Sequence, residues 1–167
     1  MTVLRPLLPS CGPSAELLTY PRLVDQPRLL VVDDEPSIRL LCSINLEMSG
    51  YEVRQAADGA TALEEALDGS YDLMLLDVML PDIGGFEVAR RLAADDRARD
   101  LPIVFLSART DRADVRAGFE AGGIEYITKP FDPIALGGRI GEILEQVGSG
   151  DAAAMRRRGL AALDDGE

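Results

Sequence analysis

Residues 71–77 read YDLMLLD, and this stretch decides the fold. Consecutive leucine and methionine side chains with no polar interruption suit a strand buried on both faces of a parallel sheet. The aspartate that closes the run then stands at the strand's carboxyl end. Four more short runs share this texture: RLLVVD (28–33), YEVRQA (51–56), PIVFLS (102–107) and IEYIT (124–128). Between and after them lie IRLLCSINLEM, TALEEALDG, FEVARRLAAD, ADVRAGFEAG and PIALGGRIGEILEQV. In the first of these, Ile38, Leu41, Ile44 and Met48 recur at helical spacing, which predicts the apolar face of an amphipathic helix. Strand then helix, five times over, predicts an α/β architecture with right-handed crossovers and helices on both faces of one sheet. The punctuation agrees, with Pro36 in the first turn of helix one and Gly50, Gly69 and Gly122-Gly123 at helix ends.

A chain of 167 residues fits one ordinary domain with tails. Residues 1–27 hold five of the ten prolines and read as a flexible arm, residues 28–147 as the domain, and residues 148–167 as a short tail. That tail carries Arg156, Arg157 and Arg158 and suits either a helix or a disordered segment. With 17 Lys+Arg against 29 Asp+Glu, the net charge of −12 repels polyanions, so direct nucleic-acid binding and anionic membrane surfaces are not expected. No apolar run approaches the roughly 20 residues that span a bilayer. Cys11 and Cys42 lie far apart, which predicts a reduced, cytoplasmic chain without a disulfide framework. The absence of histidine excludes Ser-His-Asp and Cys-His nucleophile pairs, His-bearing zinc sites and phosphohistidine on this chain.

The informative residues stand where strands end. Strand one runs into Asp33-Asp34-Glu35, strand three into Asp77, strand four into Ser107 and strand five into Thr128-Lys129-Pro130. In open parallel sheets, ligands bind outside the carboxyl ends of the strands, where strand order reverses. With the order 2-1-3-4-5 that point lies between strands one and three, and the two acidic ends face each other. Carboxylates gathered in one crevice repel unless a cation neutralises them, and an all-oxygen, histidine-free set suits Mg²⁺. Lysine adds a compact positive charge, and serine a hydroxyl donor, for phosphoryl oxygens. An aspartate in that company is equipped to become an acyl phosphate.

From LLVVDDEP, LMLLDVMLPDIGGFEV, PIVFLSA and EYITKPFDP, residues 28–147 are identified as resembling the receiver domain of two-component response regulators. The spacings agree, at 43 residues from Asp34 to Asp77, 30 from Asp77 to Ser107 and 52 from Asp77 to Lys129. The resemblance implies a three-layer, doubly wound, flavodoxin-like α/β fold with five parallel strands in the order 2-1-3-4-5. It implies that Asp77 accepts a phosphoryl group from a sensor histidine kinase or histidine phosphotransfer protein. Mg²⁺, with Mn²⁺ as a substitute, would be held by Asp33, Asp34, Asp77 and the backbone carbonyl of Met79. Ser107 and Lys129 would bind the phosphoryl oxygens, with a cis Lys129-Pro130 peptide. Ser107 and Tyr126 would form the switch that reshapes the helix 4–strand 5–helix 5 face for a downstream protein effector. Glu125 and Arg139 stand where members that form homodimers through this face pair across the interface. Such a chain is not an enzyme beyond its own phosphoryl transfer and slow autodephosphorylation.

Some positions depart from the family pattern. Gly84 replaces a polar residue, Gly122 to Glu125 alter the approach to strand five, and Ala135 stands where the dimerising subgroup often has Glu. Apolar Met79 flanks the phosphoacceptor and is expected to affect water access. Gly137, Gly138 and Gly141 make helix five either soft or suited to close approach by a partner backbone. Two other classes fit less well. A receiver-like interaction module would not need the complete set Asp34, Asp77, Ser107 and Lys129. A phosphatase of the haloacid dehalogenase type wants Asp-x-Asp after its first strand.

Overall fold

Five strands, β1 (Arg28–Val32), β2 (Glu52–Ala56), β3 (Leu73–Asp77), β4 (Ile103–Ser107) and β5 (Glu125–Thr128), form one parallel sheet in the order β2-β1-β3-β4-β5. The computed structural model describes residues 26–164. The predicted arm up to residue 25, with Cys11, lies outside the described residues, as do residues 165–167. The central strands β3 and β4 are buried along their whole length, whereas the edge strands β2 and β5 are partly exposed. This is the pattern that continuous apolar runs dictate when helices cover both faces. The doubly wound architecture and strand order expected from the sequence are those observed.

Alternate residues along the strands divide the interior into two layers. Leu30, Val32, Met74, Leu76, Ile103 and Phe105 face α2 (Gly59–Asp68), α3 (Gly85–Ala93) and α4 (Arg112–Ala121). Leu29, Val31, Leu73, Leu75, Val104 and Leu106 face α1 (Pro36–Met48) and α5 (Pro133–Gly148). A further helix, α6 (Ala152–Asp164), packs against α4 and β5. No described helix is long and apolar enough to cross a membrane.

The inward face of α1 differs from the sequence expectation. Cys42, Ser43 and Leu46 are its buried residues, while Leu41, Ile44 and Met48 of the anticipated stripe are exposed. Cys42 and Leu46 join the layer that holds Leu136, Ile140 and Ile143 of α5. A Cβ on Gly137 would stand 1.9 Å from the Ser49 hydroxyl, so α5 reaches the end of α1 only because that position lacks a side chain. The Tyr51 hydroxyl then donates to the Gly137 carbonyl at 3.1 Å. The close approach that glycine permits in helix five is therefore made within the chain.

The approach to β5 has a comparable cause. Gly122 takes a left-handed φ of 118° at the end of α4. The Gly123 N–H returns to the Gly118 carbonyl at 3.0 Å, closing a Schellman-type cap. A Cβ on Gly123 would lie 2.6 Å from the Phe105 ring, so the two glycines answer different demands.

Candidate functional site

The sheet order places the ends of β1 and β3 side by side, where the sequence puts Asp33 and Asp77. Asp33 and Asp77 are only 1% and 5% exposed, whereas Asp34 is open to solvent. One carboxylate oxygen from each of Asp33, Asp34 and Asp77 lies within 4.8 Å of the others, close enough for a single ion to touch all three. Lys129, delivered from the end of β5, sets its Nζ 2.5 Å from Asp33 Oδ2 and 3.2 Å from Asp77 Oδ2. The cis Lys129-Pro130 peptide that the resemblance implies is present.

Local hydrogen bonds orient the carboxylates. Asp33 Oδ1 accepts from the Glu35 N–H at 2.9 Å, and Arg39, one turn into α1, donates to the Asp33 carbonyl at 2.6 Å. Asp77 Oδ1 accepts from the Met79 N–H at 3.2 Å. Burial pushes the Asp77 carboxyl above the usual range, opposed by the Met79 N–H and the Lys129 charge and reinforced by Asp33. For Lys129, burial alone would lower the pKa, but hydrogen bonding to Asp33 and the charges of Asp77 and Asp33 raise it overall. An all-oxygen donor set with one lysine for three carboxylates is short of positive charge, which fits a hard divalent cation.

Ser107 is fully buried at the end of β4, and its Oγ accepts from the Arg109 N–H at 3.2 Å. The Arg109 carbonyl in turn accepts from the Tyr126 hydroxyl at 2.9 Å, and the Tyr126 ring packs at 6.0 Å on Phe105. Burial pushes the Tyr126 phenol above its ordinary pKa. Glu125 and Arg139 pair with each other within the chain at 2.6 Å, on the face made by β5 and α5.

Three contributors escape sequence reading. The Arg109 guanidinium contacts Met79 Sδ at 3.2 Å and Asp114 of α4 at 3.1 Å, so one residue ties the crevice rim to a helix. Nothing in Ser-Ala-Arg-Thr distinguishes that arginine from any loop cation. Asp82 accepts from the Gly59 and Ala60 N–H groups at 2.7 and 2.8 Å, fastening the β3–α3 loop to the start of α2, where a negative charge is favoured. Its carboxyl is held below the usual range, first by the Gly59 N–H. Gly85 is the third. A Cβ there would stand 2.2 Å from the Asp77 carbonyl, while one on neighbouring Gly84 would meet nothing closer than 3.8 Å. The paired glycines at 84 and 85 were the available signal, and the constrained one is the second.

Residues 29–140 match the family described as response regulator receiver domain. The chain is 43% identical over 120 residues to the DNA-binding dual master transcriptional regulator RpaA of Synechocystis, a match covering 72% of this chain and 50% of that one. It is 41% identical over 136 residues to the phosphate regulon transcriptional regulatory protein PhoB of Pseudomonas aeruginosa, covering 81% and 59%. The chain thus spans about half the length of these curated relatives. The first of these relatives is a DNA-binding regulator, so the comparison gives no support to the expectation that nucleic acid is absent from the partners. Among solved structures, the receiver domain of a Pseudomonas aeruginosa sensor histidine kinase superposes with a TM-score of 0.65 at 30% identity, covering 73% of this chain and 97% of that one. That structure holds a magnesium ion in its active-site cleft.

Proposed function

The chain belongs to the response regulator receiver family, and from that premise we propose that Asp77 is its phosphoacceptor. In the transfer, the P–N bond of a partner's phosphohistidine breaks as an Asp77 carboxylate oxygen forms the new P–O bond, and the imidazole leaves with the electron pair. The single observation that supports this best is the convergence of Asp33, Asp34 and Asp77 on one cation-sized space with Lys129 across it. Asp33, Asp34, Asp77 and the Met79 carbonyl would hold Mg²⁺, or Mn²⁺ in its place, and the ion would supply neutralising charge. Lys129 neutralises negative charge on the incoming group, and the Ser107 hydroxyl donates to a second phosphoryl oxygen. Hydrolysis by water returns the carboxylate, with Met79 and Arg109 at the rim governing its access.

The partners follow from the same chemistry. With no histidine among these residues, the chain draws its phosphoryl group, in the cytoplasm, from a sensor histidine kinase or histidine phosphotransfer protein. An apolar groove lined by Ile38, Leu41, Ala108, Pro130 and Phe131 borders Lys129 and suits the approach of such a donor protein. Drawing Ser107 toward the phosphoryl group would disturb its bond to Arg109, and through Arg109 the position of Tyr126, passing the signal to a downstream effector. In the presence of Mg²⁺ and acetyl phosphate, one base-labile phosphoryl group per chain is expected, and Asp77→Asn should abolish it. Persistence of the label in that variant refutes the assignment.

A further inference from the structure

We propose that α6 is a built-in occupant of α4 and the adjoining end of β5, and that phosphorylation of Asp77 loosens it. The release step rests on the receiver reading above, whereas the docking does not.

The seat of α6 is defined by its own contacts. Ala152, Met155, Arg156, Gly159, Leu160 and Leu163 recur at helical spacing and are buried or half-buried, while Arg157, Arg158, Ala161 and Ala162 on the other side are exposed. The helix runs antiparallel to α4, with Arg156 against Gly122, Gly159 against Phe119 and Asp164 paired with Arg116. Met155 joins the interior layer that contains Ile124 and Ile143. The contact at Gly159 admits no side chain, since a Cβ there would lie 2.4 Å from two carbons of the Phe119 ring. The ion pair is solvent-exposed and adds little. Attachment therefore rests on Met155 and Ala152 packed against the interior layer and on the Gly159-to-Phe119 contact, and no other α6 residue is fully buried.

The same stretch of α4 is tied to the crevice. Gly118, beside Phe119, packs directly on the Tyr126 ring, where a Cβ would stand 3.0 Å from a ring carbon. Tyr126 donates to the Arg109 carbonyl, the Arg109 N–H donates to Ser107 Oγ, and the Arg109 guanidinium holds Asp114 one turn earlier on α4. A contiguous path thus runs from the buried Ser107 hydroxyl through Arg109 and Tyr126 to the turn of α4 on which α6 sits. Movement of Ser107 toward a phosphoryl group pulls at one end of this path, and the glycine contacts at the other leave no flexible side chain to absorb it. While α6 is seated, it covers the α4 side of the α4–β5–α5 face, so a protein that reads this face must displace it.

Hydrogen exchange followed by mass spectrometry on the full chain tests the proposal. With Mg²⁺ and acetyl phosphate, α6 amides should exchange about tenfold faster or more once the phosphoryl adduct appears in the mass, with α1 amides unchanged. The Asp77→Asn variant under the same conditions should show no acceleration. Unchanged α6 exchange in a chain that carries the adduct overturns the release step. Failure to form any adduct overturns the receiver reading and the release step with it. Gly159→Leu probes docking without phosphorylation. Leucine is the better helix former, so faster α6 exchange with α1 to α5 still protected reports loss of the seat, and retained α6 protection overturns the docking.

Discussion

Replacing Lys129 by methionine keeps most of the stem and removes only the charge that stands between two buried carboxylates. In the native arrangement the ammonium lies 2.5 Å from Asp33 and 3.2 Å from Asp77. Breaking a buried charge pair by removing one partner costs about 3–5 kcal/mol, because the other charge is left uncompensated. The Lys129 side chain keeps 17% of its exposure, and water at that opening screens the pair, so the lower figure of about 3 kcal/mol is expected. With a urea m-value of about 2 kcal/mol per molar, the unfolding midpoint without divalent cations should fall by about 1.5 M. Magnesium should restore more stability to the variant than it adds to the native chain, since it supplies the missing charge and meets no competing ammonium. An ion at about 100 times its dissociation constant contributes about 2.7 kcal/mol. The assay is urea unfolding followed by circular dichroism, in chelator and in excess MgCl₂. An unchanged midpoint in chelator, or equal stabilisation of both chains by magnesium, refutes the claim that Lys129 balances these carboxylates.

Gly85→Ala should cost about 2–3 kcal/mol in the same assay, because the methyl group meets backbone atoms of Asp77 and Val78 that cannot give way. A loss below about 0.5 kcal/mol would mean that the β3–α3 loop shifts freely. Ser43 is buried in α1, and its hydroxyl has no hydrogen-bond partner among the described residues. Ser43→Ala should therefore gain about 1 kcal/mol, read as a higher unfolding temperature, and any loss contradicts the burial of an unpaired hydroxyl. Burial, together with the 2.6 Å hydrogen bond to Glu65, pushes the Tyr71 phenol up to about 12. Its folded pKa lies above the unfolded value near 10, so the stability it contributes is complete below about pH 10 and is lost as the pH rises toward 12. Stability measured against pH should decline less steeply over that interval in Tyr71→Phe, and parallel curves would refute the shift.

Much of this architecture is legible because secondary structure leaves a local period in the sequence. Runs such as LMLLD and IVFLS have no polar face, and only a strand covered on both sides can bury them. The strand-end positions of Asp33, Asp77, Ser107 and Lys129 are legible for the same reason, since the first three follow an apolar run directly and Lys129 follows the end of strand five at Thr128. The exposed stripe of α1 shows where periodicity stops. Leu41, Ile44 and Met48 carry the helical spacing, yet Cys42 and Leu46 are the residues that pack with Leu136, Ile140 and Ile143 of α5, segments far apart in the chain. Arg109 is equally silent in sequence, because a charged loop residue acquires four partners only after β3, β4, β5 and α4 have assembled around it.

The sequence by itself determined the alternation of strands and helices, the placement of acidic and basic side chains at strand ends, and a histidine-free, all-oxygen set of candidate ligands. Those are properties of single segments and of composition. Only the tertiary structure decided that Lys129 reaches both Asp33 and Asp77, that Gly85 clears the Asp77 carbonyl, and that α6 settles on Phe119. The physical reason is that such contacts are fixed by sheet order and close packing, which tolerate errors of a fraction of an ångström and leave no period along the chain.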